Sequence, residues 1–299
     1  MRQFIAKNRE GLTGAAYVYP ALIFLMLMIG YPIIYNFIIS FQDIDVMTVK
    51  NATHNFVSFD NYLKLWSQDI LPQVLKQTIT FTFWCILFQF LIGLSLALFF
   101  SRTFKAAKPV RGLLLVIWVV PMTVTALIFK FMFQTDGGFI NVALRTLGLI
   151  NTNIEWLINP TTAMTALVIA NCWVGIPFNM ILLTAGLKGI PDVVYESASI
   201  DGATGIYGFF HITLPLLRPA IMSVLILGVI YTFKVFDLVY VMTSGGPMNT
   251  TELMSTYAYR LSFKQYQFSQ GAAAACVLFV CLTFVAAAYL RMVRKDEVM

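Results

Sequence analysis

Six charge-free intervals mark candidate spans in this chain: 11–42, 77–101, 112–129, 156–187, 219–233 and 265–290. A helix needs about 20 apolar residues to cross ~30 Å of hydrocarbon. Five of the intervals reach that length or nearly so. The fifth is cut short by Lys234 and Asp237, but its apolar character continues to Met242. The pattern predicts six helices, over 15–40, 77–100, 112–133, 161–186, 217–242 and 269–291. Composition agrees: 59% of residues are hydrophobic and 11% charged, whereas a soluble domain is nearer half apolar and a quarter charged. The expected fold is therefore an all-α integral membrane protein with six transmembrane helices. Its spanning domain covers 15–291, between a segment at 1–14 and a tail at 292–299.

Arg2, Lys7 and Arg9 precede the first apolar run, as in a secretory signal. That run is too long for such a signal and lacks an Ala-x-Ala-like exit, so it reads as a retained span. Orientation follows from Lys and Arg in the short loops. Arg2, Lys7, Arg9, Arg102, Lys105, Lys108, Arg111, Lys188, Arg218, Arg291, Arg294 and Lys295 fall on one side. Lys50, Lys64, Arg145, Arg260 and Lys264 fall on the other. The richer side is expected to be cytoplasmic, with both termini inside.

Several function classes are disfavoured. The formal charge of +6 reads as inside-facing Lys and Arg rather than a nucleic-acid footprint, since no basic patch interleaves with polar surface. Cys85, Cys172, Cys276 and Cys281 lie within apolar runs, away from His54 and His211, and read as packing residues with no metal site. No GxxxxGK[ST] motif is present, so ATP is not expected to bind by that route.

The segment between the fourth and fifth spans, 187–218, is unlike a plain connector. Tyr195 to Pro219 reads YESASIDGATGIYGFFHITLPLLRP. Pro191 suits the first turn of a helix and Asp192 its positive end. Asp201-Gly202 is a turn signal. The pattern predicts one short helix over 191–200 and a second over 203–213, ended by Pro215. Ala198, Ala203 and Gly205 are small enough for another surface to approach the backbone. An amphipathic connecting loop and a docking hairpin both fit this pattern.

The spacing resembles the cytoplasmic loop of permease subunits of binding-protein-dependent ABC importers. That pattern runs Glu-Ala-Ala, three residues, Gly, nine residues, Ile, one residue, Leu-Pro. Here it is Glu196-Ser197-Ala198, Gly202, Ile212 and Leu214-Pro215, with Ser197 the one departure. The resemblance to the carbohydrate-uptake branch extends to the stretches 55–62, 129–148, 173–178 and 236–247. The last two are similar to the maltose-type or glycerol-phosphate-type "first" permease of a heterodimeric pair.

This resemblance implies a type I importer permease fold in a bacterial cytoplasmic membrane. It implies a second permease, an ATPase dimer carrying ATP and Mg, and an external solute-binding protein as partners. The chain itself would be non-catalytic and bind no cofactor. Glu196, Ser197, Ala198, Asp201, Gly202, Ala203, Ile212 and Pro215 would form the ATPase-coupling hairpin. By the same resemblance, pathway positions fall at Asn171, Val174, Gly175 and Phe178, and at Gly228, Tyr231, Thr232 and Val235. Amides and hydroxyls there can pair with sugar hydroxyls, and Phe178 and Tyr231 can stack on a pyranose face. Helix–helix packing is the other reading, and the better one for Val174 and Gly228.

Charges at membrane depth are costly and are candidates for function. Lys234 and Asp237, three apart, would share a helix face, either as a self-neutralising pair or facing a polar pathway. Lys130 reads as a snorkelling anchor. The expected function is one half of the translocation pathway for a sugar or oligosaccharide. Glycerol phosphate or another small polar solute is the alternative. A secondary transporter would need an inverted repeat and intramembrane carboxylates, and only Asp237 lies inside a span.

Overall fold

The computed structural model describes residues 16–296 apart from 52, 68–69 and 103, with side chains as far as 291. The expected segment 1–14 lies outside the described residues, and of the tail 292–299 only the backbone of 292–296 is included. Every named element among the described residues is helical. They are α1 (Ala16–Ser40), α2 (Asp60–Ser67), α3 (Ile70–Ser101), α4 (Ala107–Val119), α5 (Met122–Met132), α6 (Phe139–Thr146) and α7 (Pro160–Lys188). After these come α8 (Asp192–Ile200), α9 (Gly205–Leu216), α10 (Arg218–Phe233), α11 (Asp237–Met242), α12 (Met254–Tyr259) and α13 (Phe268–Asp296).

Four of these helices, α1, α3, α7 and α13, are long and apolar enough to cross a membrane unaided. The other two expected spans are bent pairs. In the third, α4 and α5 meet at 95°. Pro121 has no N–H to continue the ladder, and the residue before a proline is pushed towards extended backbone. Val120 accordingly has ψ 129°. The expected single helix over 112–133 is thus two helices at nearly a right angle.

The fifth expected span, 217–242, is also interrupted. It bends by 66° between α9 and α10, and it breaks again between Phe233 and Asp237. At the second break Ser255 donates its hydroxyl to the Val235 carbonyl, satisfying a group the helix no longer pairs. Lys234 is the C-cap of α10 and Asp237 opens α11. The two charges therefore do not share a helix face, because tertiary pairing at Val235 replaces the continuous helix that the spacing assumed.

The described chain packs as two compact units. One comprises the described residues of 16–67 with 258–277. Here the Asn36 amide donates to the Ala272 carbonyl at 3.3 Å, tying α1 to the start of α13. The Asn61 amide of α2 donates to the carbonyls of Ser40 and Gln42 at 2.9 and 2.8 Å.

The other unit comprises the described residues of 70–257 with 278–296. Its axis is the pairing of α3 with α7, against which α10 packs. Lipid offers no hydrophobic drive between helices, so association depends on close van der Waals contact and small residues. The face of α7 buries Ala163, Ala166, Ala170 and Val174, and a Cβ on Gly93 of α3 would collide with Asn179. Phe81, Phe129, Leu167 and Leu238 join in one buried cluster. Met180, Leu183, Leu217 and Val224 join in a second. Cys85 and Cys172 are free, and Cys172 Sγ sits 3.7 Å from the Cys85 carbonyl oxygen within the first cluster.

Local caps follow the sequence. Asn159 accepts from the Thr161 N–H at 3.0 Å, with Pro160 at the first position of α7. Buried Asn141 holds the connection before α7. Its amide donates to the Thr135 and Ile154 carbonyls at 3.1 and 2.9 Å, and its oxygen accepts from Trp156 Nε1 at 3.0 Å. Lys130 donates to the Val241 carbonyl at 2.9 Å, so the expected snorkelling anchor also caps the end of α11.

Candidate functional site

A cavity of about 380 Å³ opens where the two broken helices meet α7. Its walls are Gln89 of α3, Trp118 of α4, Met122 of α5, five residues of α7, three of α10, and the broken segment from Lys234 to Asp237. Both breaks lie on its border: Trp118 and Met122 flank Val120–Pro121, and Lys234 follows the end of α10. Irregular backbone at membrane depth is tolerated where it lines such a cavity.

The pathway positions implied by the resemblance gather here. Asn171, Val174, Gly175 and Phe178 come from α7; Gly228, Tyr231 and Thr232 come from α10; Val235 follows. Lys234 and Asp237 line the same space, as does Asn179. Asn171, Asn179 and Thr232 are buried, whereas Tyr231 is 59% exposed.

Three aromatic rings form a row along one wall. Trp118 stacks on Phe178 with centroids 5.7 Å apart and planes 20° from parallel. Phe178 meets Tyr231 edge to face at 6.3 Å. Lys234 Nζ lies 5.5 Å from the Tyr231 centroid, within cation–π range. Phe178 is thus held between two neighbours, and the rings with open surface are Trp118 and Tyr231. No ion pair joins Lys234 to Asp237 among the described residues; the ammonium lies over the Tyr231 ring instead.

The polar groups are fixed by α3. Gln89 is buried and donates to the Asn171 carbonyl at 3.2 Å. Its carboxamide occupies the space a Cβ on Gly175 would take. Asn179 donates to the Gly175 carbonyl at 2.8 Å, one turn back on its own helix.

The hairpin after α7 is well defined. Pro191 caps α8 from outside, with ψ 139°, rather than sitting in its first turn. The far end closes as a Schellman motif. The Ala203 N–H bonds the Ala198 carbonyl at 2.8 Å and the Gly202 N–H bonds the Ser199 carbonyl at 3.2 Å. Gly202 takes φ +75°, the left-handed position this motif needs.

The second helix, α9, begins at Gly205 and runs through Pro215 to Leu216. Pro215 does not end it. A π-helical turn over Phe209–Thr213 lets the Leu214 N–H reach back to Phe209, which widens the helix just before the proline. Glu196, Ser197, Asp201, Gly202 and Pro215 are exposed, Ala203 and Ile212 half-buried. Ala198 is buried, so its small side chain serves packing within the chain rather than an outer surface.

Residues 89–295 match the family of binding-protein-dependent transport system inner membrane components. The chain belongs to this family. A trehalose/maltose transport system permease of Thermococcus litoralis is 34% identical over 96% of this chain and 96% of its own length. A sulfoquinovosyl glycerol transport system permease of Agrobacterium fabrum is 34% identical over 93% of this chain and 89% of its own. The fold is that of a chain in a bacterial alginate ABC transporter, solved in complex with an alginate pentasaccharide-bound periplasmic protein. The TM-score is 0.81 at 22% identity, covering 99% and 98% of the two chains. This is the type I importer permease fold, and the protein is a multi-pass membrane component of a transport system.

For this permease, sequence reasoning did not single out Gln89, Trp118 or Met122 as cavity residues. Gln89 carried a usable signal, being an amide in the middle of an otherwise apolar span. Trp118 beside Val119-Val120-Pro121 carried another, since the proline predicts the bend that exposes the ring.

Proposed function

We propose that this permease forms half of the translocation pathway of an ATP-driven importer for a sugar or oligosaccharide. The observation that carries this reading is the cavity, where open faces of Trp118 and Tyr231 stand beside Gln89, Asn171, Asn179 and Thr232. Apolar ring faces pack against the C–H faces of a pyranose, while amides and hydroxyls exchange hydrogen bonds with its hydroxyls. Similarity to permeases named for trehalose/maltose and sulfoquinovosyl glycerol supports the same class.

In this reading the exposed rim of the hairpin, with Glu196, Ser197, Asp201 and Gly202, seats in a separate ATPase subunit that binds ATP and Mg. A second permease supplies the other half of the pathway, and an external binding protein delivers the solute. Both termini and the hairpin face the cytoplasm. Closure of the ATPase pair moves α8 and α9, which adjoin α7 and α10, the two helices that supply most of the cavity wall.

The test is uptake of a sugar panel into vesicles holding the complete transporter, with ATP hydrolysis measured in parallel. A sugar that stimulates hydrolysis and accumulates only when its binding protein is present supports the reading. No response to any sugar, with a response to another solute class, overturns the carbohydrate assignment. Lys234 in the cavity wall, unpaired with a carboxylate among the described residues, favours a second reading: a small anionic solute such as glycerol phosphate. Including that compound in the panel separates the two.

A further inference from the structure

At the C-terminal end of α3, the short turn into α4 carries a second, differently built cavity. It encloses about 470 Å³ and is lined by Arg102, Lys105, Lys108, Arg111 and Lys188, with no Asp or Glu among its lining residues. The five cations come from three places: the end of α3, the connection into α4 with its first turns, and the last turn of α7. Loop lysines spread at random around a helix bundle would diverge into water. These converge on one concavity instead. Among the described residues none of the five forms an ion pair, and the first turn of α4 holds no acid.

The surroundings of this cavity are apolar. Phe100 and Phe104 line it, with ring centroids 5.9 Å apart, and Phe99 lies 5.3 Å from Phe104. Further along α4, Leu113, Val116 and Val119 recur every three residues and are 68%, 59% and 72% exposed. A stripe of that kind offers apolar surface for acyl chains. The site therefore combines cationic and aromatic lining, with exposed aliphatic residues further along α4.

We propose that this cavity binds the headgroup phosphate of an anionic phospholipid, whose acyl chains lie along the exposed face of α4. The convergent cations match the phosphodiester charge, and the Phe cluster and the α4 stripe match the chains. A free phosphate would use only the first of these features. A protein partner offering acidic side chains would likewise leave the apolar stripe unused. Basic pockets between spanning helices at the membrane surface commonly take such headgroups. Placement of the lipid in the cytoplasmic leaflet rests on the orientation proposed above; binding itself does not.

The experiment uses the full chain purified in detergent and titrated with phosphatidylglycerol or phosphatidylcholine, with bound lipid counted by native mass spectrometry. The wild type is expected to retain phosphatidylglycerol in preference to phosphatidylcholine. Lys105→Gln/Lys108→Gln/Arg111→Gln should weaken the anionic lipid about a hundredfold, at roughly fivefold per cation near a charged surface, and leave phosphatidylcholine unchanged. The control Lys50→Gln/Arg145→Gln should bind as the wild type does. The single variant Lys108→Gln, with a smaller effect in the same direction, guards against misfolding of the triple variant. Equal retention of both lipids by the wild type overturns the proposal. So does displacement of the bound anion by inorganic phosphate alone, which marks a free-anion site. Unchanged lipid binding by the triple variant, coupled with loss of ATPase co-purification, overturns it in favour of a protein-docking surface.

Discussion

Gln89 donates to the backbone carbonyl of Asn171 at 3.2 Å, joining the middle of α3 to the middle of α7. The bond is possible because Gly175, one turn further along α7, leaves room for the carboxamide. An added methyl there must evict Gln89, and overpacking of that kind costs about 1–3 kcal/mol. Gly175→Ala should therefore lower the melting temperature of the purified permease and reduce uptake. Gln89→Ala combined with Gly175→Ala should recover much of the stability, since the clash then disappears. A double variant as unstable as the sum of the two singles would show that the close approach is not the cause.

The hairpin makes a different prediction. Gly202 sits at φ +75°, where a residue with a Cβ loses roughly 1–2 kcal/mol. Gly202→Val should open the Schellman closure, leave the subunit in the membrane, and abolish both uptake and binding-protein-stimulated ATP hydrolysis. Gly202→Asn, which tolerates the left-handed region, should retain a good part of both. Glu196→Lys should fail in the same way as the valine variant but without loss of thermal stability, because the side chain is exposed. Normal transport by Glu196→Lys would remove this residue from the coupling surface.

Cavity variants should separate recognition from coupling. Tyr231→Ala and Trp118→Ala each remove an open ring face, and each is expected to slow uptake several-fold or shift sugar preference. Basal ATP hydrolysis should stay near the wild-type rate. A sugar panel with hydrolysis measured alongside checks this. If uptake and basal hydrolysis fall together, the rings hold the helices in place instead. Lys234→Gln should leave neutral sugars little changed and weaken any anionic solute.

Sidedness can be read chemically. In a background where the four native cysteines are replaced by alanine, Thr250→Cys should react with an impermeant thiol reagent in intact cells. Ser199→Cys, on α8, should react only after the cells are opened. The reverse pattern would invert the orientation drawn from Lys and Arg.

Much of this was legible in the residues. The charge-free runs located the four continuous apolar helices and overlapped both bent pairs, because a lipid-facing helix must be apolar along its whole length. The spacing from Glu196 to Pro215 located the hairpin, and Asp201-Gly202 marked its turn, because only glycine enters the left-handed region cheaply. The bends were less legible. Pro121 was visible, but an apolar run continues on both sides of it and hydropathy does not register backbone direction. The break after Phe233 has no proline at all. It depends on Ser255, twenty residues on, reaching the Val235 carbonyl. For the same reason Lys234 and Asp237 were placed on one helix face that does not exist. Trp118 and Gln89 came from spans with no counted positions, and only the packing of α3 and α4 on α7 brings them to the cavity.

The Schellman closure between α8 and α9 also fixes where this hairpin can yield. Paired N–H and carbonyl groups at Ala198, Ser199, Gly202 and Ala203 leave few soft dihedrals at that joint. The helix turns by 66° at Leu217 instead, and the Leu217 side chain at that corner is fully buried. In the coupling proposed above, a push on α8 is carried through this closed elbow to the corner next to α10. In that reading the hairpin acts as a bell crank, turning a displacement of α8 into a tilt of the helix that carries Tyr231.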